Sequence, residues 1–289
     1  MAWDVVANVV IAGILTGLVY GLMALGLSVI FGVVRVVNFA HGEMMTVAMY
    51  AAVILFAQFR VDPFIAIVPV AAAFFAFGYA MQAGLINPFI TRPEHSQFML
   101  LVAVAIIMVN GLLLAFGPDA RNVQTDYQLD SFEIGKLLFD KGRSYAALTA
   151  LATTAALLGF FRFSRTGKAI RACADNHMGA LVVGLNVKHL YALTFGLGSV
   201  CVAVAGCAMA ILLEVSPQLG PAYTLLAFVI VIVGGLGSMP GALVGGLLIG
   251  VSEALAGLFF QPSAKSMFSF GLLILVLLFR PQGLLGKRP

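Results

Sequence analysis

Charge is scarce in this sequence. Only 10% of its 289 residues are Asp, Glu, Lys or Arg, against about 25% in an ordinary soluble domain. With 62% hydrophobic residues and a mean hydropathy of +1.06, the chain has too few polar groups to cover its own surface, so lipid must form part of its solvent. The alternation of apolar and polar residues in segments of about ten that marks a membrane β-barrel is missing too. The apolar runs are continuous and rich in Gly and Ala, as in helices packed through small residues. Cysteine is nearly absent. Cys201 and Cys207 sit in an apolar run and Cys173 in a basic segment, which gives no disulfide framework. The four histidines, His41, His95, His177 and His189, lack metal-ligand spacing. The amino-terminal MAWDVV has no basic region ahead of its first apolar run, so that run is expected to be a retained span and not a cleaved signal peptide.

Signatures of catalysis are missing as well. No Gly-x-x-x-x-Gly-Lys-Ser/Thr loop occurs, so the chain does not bind ATP by that motif. Ser238, in Gly-Leu-Gly-Ser-Met, is the best-placed hydroxyl nucleophile, but no histidine lies in the runs near it and His41 would have to come from a distant segment. Glu214 and Glu253 stand near run ends or alone, not as a carboxylate pair. A transport role accounts for more than an enzymatic one, and neither a bound cofactor nor a metal is expected.

What the sequence does contain is membrane-length apolar segments. A helix needs about 20 apolar residues to cross the hydrocarbon. Runs at 5–34, 40–59, 64–86, 98–116, 145–161, 190–213, 223–235, 242–260 and 267–279 give an all-α polytopic transmembrane bundle of eight or nine spans. The first run is too long for one straight crossing and that at 223–235 is short. A net charge of +4 and a pI near 9.1 would suggest nucleic acid in a soluble protein. Here the Lys and Arg cluster in a few loops, as the positive-inside rule requires, and no nucleic-acid partner is expected. The segment 162–188 carries Arg162, Arg165, Lys168, Arg171 and Lys188 against Asp175 and is assigned to the cytoplasm, together with the basic tail from Arg280 through Lys287 and Arg288. The near-neutral segment 118–143 is assigned to the outside. Counting crossings from these anchors puts Arg92 and Arg35 inside, and Arg60, Asp62 and Met1 outside.

Two stretches interrupt the apolar pattern, Gly32-Val-Val-Arg-Val-Val-Asn-Phe-Ala-His-Gly-Glu43 and Gly234-Gly-Leu-Gly-Ser-Met-Pro-Gly-Ala-Leu-Val-Gly-Gly246. Each is either a tight turn between helices or a helix broken, or re-entrant, at membrane depth, where unpaired backbone survives only if buried in protein or lining a cavity. Asn38, His41 and Glu43 in the first stretch make the second reading as strong as the first, because polar groups in the bilayer must face a path or one another. In the second stretch Ser238 is the only side chain able to hydrogen-bond, which favours packing.

These segments also carry a resemblance. Gly17-Leu-Val-Tyr-Gly-Leu-Met-Ala-Leu-Gly-Leu27, the Gly32–Glu43 stretch, Arg165-Thr-Gly-Lys-Ala-Ile-Arg-Ala172, Asn176, Ala180-Leu-Val-Val-Gly-Leu-Asn186, the Gly234–Gly246 stretch and Leu278-Phe-Arg-Pro-Gln-Gly-Leu284 follow one another in the order found in membrane permeases of branched-chain amino acid ABC importers. The chain resembles the smaller, LivH-like permease type over most of its length, least so at 119–143. The resemblance implies one transmembrane permease domain over 1–289 in a bacterial inner membrane, with a cytoplasmic C-terminus. It also implies a second, longer LivM-like permease, two cytoplasmic ATPase subunits that use the ATP, and an external binding protein that delivers the substrate. Met178-Gly-Ala-Leu-Val-Val-Gly184 is similar to the Glu-Ala-Ala-x-x-x-Gly coupling signature of such permeases, matching at Ala180 and Gly184 and departing at Met178 and Gly179. Arg165, Gly167, Arg171, Gly179, Ala180 and Gly184 are therefore the candidate ATPase-coupling residues, with the basic charges serving topology first. Asn38, His41, Gly42 and Ser238 are the candidates for the substrate path. A stand-alone secondary transporter or a channel for a small polar solute is the competing function.

Overall fold

The computed structural model describes residues 3–128, 130–261 and 265–286, for Ile134 the backbone only. Met1, Lys287 and Arg288, each given a side of the membrane by the charge pattern, lie outside the described residues. The described chain is almost wholly helical: α1 Trp3–Val34, α2 His41–Phe59, α3 Pro63–Met81, α4 Glu94–Phe116, α5 Lys141–Phe163, α6 Arg165–Asp175, α7 His177–Val182, α8 Val187–Leu212, α9 Leu219–Gly234, α10 Met239–Phe259 and α11 Lys265–Phe279. A two-stranded hairpin, β1 Ser131–Ile134 and β2 Leu137–Asp140, precedes α5. Among the described residues seven helices are long and apolar enough to cross a membrane: α1, α2, α3 extended to Phe89, α4, α5, α8 and α10. The apolar α9 and α11 are shorter. All nine apolar runs of the sequence are thus helical, and the long first run is one helix.

Local chemistry sets the helix boundaries. Asp62, Asp140, Ser164, Asn176, Asn186 and Ser238 each accept a hydrogen bond from a first-turn N–H of the helix that follows, satisfying a donor that the helix itself cannot pair. Arg35 (φ 62°) and Arg60 (φ 55°) take the left-handed conformation that stops α1 and α2.

α1 and α8 form the centre of the bundle and are the most enclosed of the membrane-length helices, whereas α4 is the least, with Ile106, Ile107 and Leu114 exposed. α10 lies against α1 through glycine. A side chain at Gly17 would meet the carbonyl of Gly246, and one at Gly246 would run into the backbone of Gly21. Small residues four apart on both helices bring the two backbones into contact, as membrane helices require when lipid supplies no hydrophobic drive for association.

The bundle has two distinct ends. At one, the Tyr127 hydroxyl donates to Asp62 (2.7 Å), and the hairpin is held to α1 by a bond from the Leu138 N–H to Asn8 Oδ1 (3.0 Å). At the other, Arg35, Lys168, Arg171 and Gln282 face one cleft. There the tail folds back on the end of α9, with the Leu284 and Leu285 N–H groups donating to the carbonyls of Val233 and Gly234 (both 2.9 Å).

Candidate functional site

The two interruptions of the apolar pattern have different structures. After Arg35 the chain runs back alongside α1 and starts α2 inside the bundle. His41 Nε2 donates to the carbonyl of Met23 (2.9 Å), a residue eleven positions before the end of α1. At 1.5 Å per residue, α2 begins about 16 Å up the bundle from where α1 stops. Five residues of extended chain cover about that distance. The Asn38 carboxamide accepts from the Ala40 N–H (3.1 Å) and turns the chain into the new helix, while its amide lies 3.5 Å from Met44 Sδ. Asn38 and His41 are fully buried, and Glu43 nearly so. The break is therefore a helix start at depth.

A second helix starts against it. Gly220, the second residue of α9, touches Glu43, and a side chain at Gly42 would clash with the carbonyl of Gly220 and the N–H of Thr224. α2 and α9 run in opposite senses and overlap at their first turns, with Phe39 beside Phe228 (5.1 Å between rings). The Gly42 N–H donates to Thr224 Oγ1 (2.8 Å), whose own hydroxyl donates to Glu43 Oε2 (2.8 Å). Thr46 Oγ1 closes the set on the Gly42 carbonyl (3.0 Å). The positive ends of two helix dipoles thus meet at one carboxyl group, whose direct partner is a threonine; among the described residues no cation pairs with it. Among the described residues His41 Nδ1 has no hydrogen-bond partner.

The second interruption is the packing turn that its lack of polar side chains favours. α9 ends at Gly234, Gly235 (φ 110°) reverses the chain, and the Ser238 hydroxyl accepts from the Gly241 N–H (3.2 Å) as the cap of α10.

Two cavities flank α1. The larger, about 960 Å³, opens at the tail end between the last turns of α1, α5 and α9, the start of α10, α6 and the tail. Ser238, Arg35, Lys168 and Arg171 line it, together with Ser28, whose buried hydroxyl has no partner among the described residues. The smaller, about 160 Å³, lies at the hairpin end, lined among others by Tyr20, Arg143 and Glu253. Asn38, His41 and Gly42 border neither; they belong to the closed crossing of α2 and α9.

The candidate coupling residues gather on α6 and α7. Arg165 opens α6, and Gly167 lets it fold tightly onto Phe160 and Phe161. Arg171 points into the larger cleft. The Gly179 N–H donates to Asn176 Oδ1 (2.8 Å), Ala180 is buried, and Gly184 (φ 81°) makes the left-handed turn out of α7. Burial pushes the Cys173 thiol on α6 above its ordinary pKa. What the sequence reading missed is the tertiary half of the site, namely Thr224, Gly220 and the Met23 carbonyl.

The comparisons with known proteins follow this architecture. The family described as "Branched-chain amino acid transport system / permease component" matches residues 9–277. The chain belongs to this permease family. The high-affinity branched-chain amino acid transport system permease protein LivH of Salmonella typhimurium is 30% identical over 297 residues, covering 95% of this chain and 94% of that protein. The corresponding BraD of Pseudomonas aeruginosa is 31% identical over 288 residues with the same coverage. A probable branched-chain amino acid transport permease protein LivH of Methanocaldococcus jannaschii is 26% identical over 280 residues, covering 92% and 88%. The permease is thus a multi-pass membrane protein whose relatives are transport subunits, and the residues that carried the resemblance lie in α1, at the start of α2, in α6 and α7, at the α9–α10 turn and in the tail.

Proposed function

We propose that this chain forms half of the membrane pathway of an ATP-driven importer of branched-chain amino acids, paired with a second permease. In this reading two ATPase subunits on the cytoplasmic side supply the energy and an external binding protein delivers the substrate. The tail end of the bundle faces the cytoplasm of a bacterial inner membrane, in keeping with its concentration of Arg and Lys.

The observation that carries this reading is the outer face of α7. Met178, Leu181, Val182 and Val183 are exposed, Val182 by 84% and Val183 by 74%, on a short helix that follows the basic α6. An apolar patch on a loop beyond the membrane-length helices marks a protein-interaction site, and in an ATP-driven importer a chain without a phosphate loop must take its ATPase from a partner. Arg165, Gly167, Arg171, Gly179, Ala180 and Gly184 set the shape and charge of that docking hairpin. Closure of the ATPase dimer would move it against the larger cleft, where Ser238 lines the inner mouth of the path. Asn38, His41 and Gly42 form the polar crossing that the substrate passes when the α2 and α9 starts separate.

Replacing Val182 by Asp tests the docking. The variant is expected to fold with an unchanged melting temperature, because the side chain is exposed, and to co-purify with the ATPase subunits at least tenfold less well. Full co-purification would remove α7 as the coupling element.

A further inference from the structure

The smaller cavity is not part of the crossing or of the coupling hairpin, and its chemistry is unusual for a membrane bundle. It lies where α5 and α11 begin and α8 ends, against the first half of α1. Glu253 of α10 brings a carboxylate to its wall, with Oε1 accepting from Ser269 of α11 (2.9 Å) and the Tyr20 phenol of α1 facing it. Arg143 and Lys265 line the same space. Among the described residues neither cation closes an ion pair with Glu253 within 4.0 Å; the salt bridges are Lys136–Asp4 and Lys141–Asp130. Two positive groups and one negative group therefore face one small space and stay apart. A rigid solute carrying both charges would complete all three. Ala12, Met209, Leu212 and Ala254 supply an apolar wall beside them, and Thr16 borders the same space. The volume of about 160 Å³ equals that of about five waters, room for one small amino acid and too little for a peptide.

We propose that this cavity binds a zwitterionic α-amino acid with a short aliphatic side chain, its ammonium at Glu253 and Tyr20 and its carboxylate at Arg143 and Lys265. The proposal rests on the amino-acid permease reading and deepens it by placing a substrate station at the hairpin end of the pathway. The sequence pattern concealed it, because the charged residues come from three helices and Glu253 is a single acid in an apolar run.

The test uses the buried native thiols, which leave an introduced cysteine as the reactive one. The full chain carrying Thr16→Cys is placed in liposomes and labelled with a charged methanethiosulfonate reagent. Millimolar L-leucine is expected to slow labelling at least fivefold. Isopentylamine, which lacks the carboxylate, and 4-methyl-2-oxopentanoate, which lacks the ammonium, should slow it less than twofold. Glu253→Gln or Arg143→Gln in the same background should abolish the protection, and Glu253→Asp should keep part of it. If Glu253→Gln does not fold, the ligand series on Thr16→Cys decides the matter alone. A thiol that never labels, equal protection by the amine, or no protection by any amino acid would each overturn the site. ATP-driven leucine uptake by the assembled wild-type importer is measured in parallel. Intact uptake without protection refutes the cavity and spares the permease reading; protection by another zwitterion with no leucine uptake supports the cavity and refutes leucine as the substrate.

Discussion

Thr224 joins the two helix starts, and its replacement by valine is the sharpest probe of the crossing. Valine keeps the shape and removes the hydroxyl that accepts from the Gly42 N–H and donates to Glu43, both at 2.8 Å. A buried N–H left unpaired costs about 1–3 kcal/mol, and the hydrogen bond to the Glu43 carboxyl group contributes at least about 0.5–1.5 kcal/mol. Gly42 is packed against the α9 backbone, so no water can take the place of the hydroxyl. The expected loss is about 3 kcal/mol, which for a chain of 289 residues lowers the melting temperature by about 5 °C. The three cysteines are all buried, so a thiol-reactive fluorogenic dye reports unfolding of the detergent-solubilised protein directly. Thr224→Ser should recover most of the shift. In the Glu43→Gln background the effect of Thr224→Val should shrink, because part of the lost interaction is already gone. A Thr224→Val protein that melts within 1 °C of wild type would refute the claim that this hydroxyl links α2 to α9.

Two further outcomes follow from packing and burial. Gly246→Leu places a side chain into the backbone of Gly21, and the overpacking should cost about 1–3 kcal/mol or more, seen as a lower melting temperature in the same dye assay. Cys173 should react with maleimide at pH 8 more slowly than a free cysteine, since burial raises its pKa and lowers the thiolate fraction at any given pH; the folded state favours the neutral thiol, so this group's contribution to stability is present below the ordinary thiol pKa and lost as pH rises above it.

Much of this architecture could be read in the chain. Lipid forces long apolar runs, and nine of them became nine helices. The polar trio Asn38, His41 and Glu43 stood out because such residues are costly among apolar neighbours. Whether they sat at the rim or at depth depended on where the chain went after Arg35, and the hydrogen bond from His41 to Met23 decides that in favour of depth. Thr224 gave no signal, since one threonine in an apolar helix reads as ordinary. The start of α9 was missed for a related reason. Ser216-Pro-Gln-Leu-Gly-Pro reads as loop, yet Pro221 falls in the first turn of α9, where a missing N–H costs nothing. The cavity at Glu253 depends on residues from five helices, which no local pattern reports. The hairpin at β1–β2 likewise lay inside a polar segment whose charges drew the reading toward topology.

The central claim is that the permease moves amino acids only as part of an ATP-driven assembly. Uptake of radiolabelled leucine into proteoliposomes tests it most directly, comparing the chain alone with the chain reconstituted beside the second permease, the ATPase subunits and the binding protein. The account predicts uptake in the full assembly that stops when ATP is withheld, and none by the chain alone under a proton or sodium gradient. Gradient-driven uptake by the chain alone would contradict it.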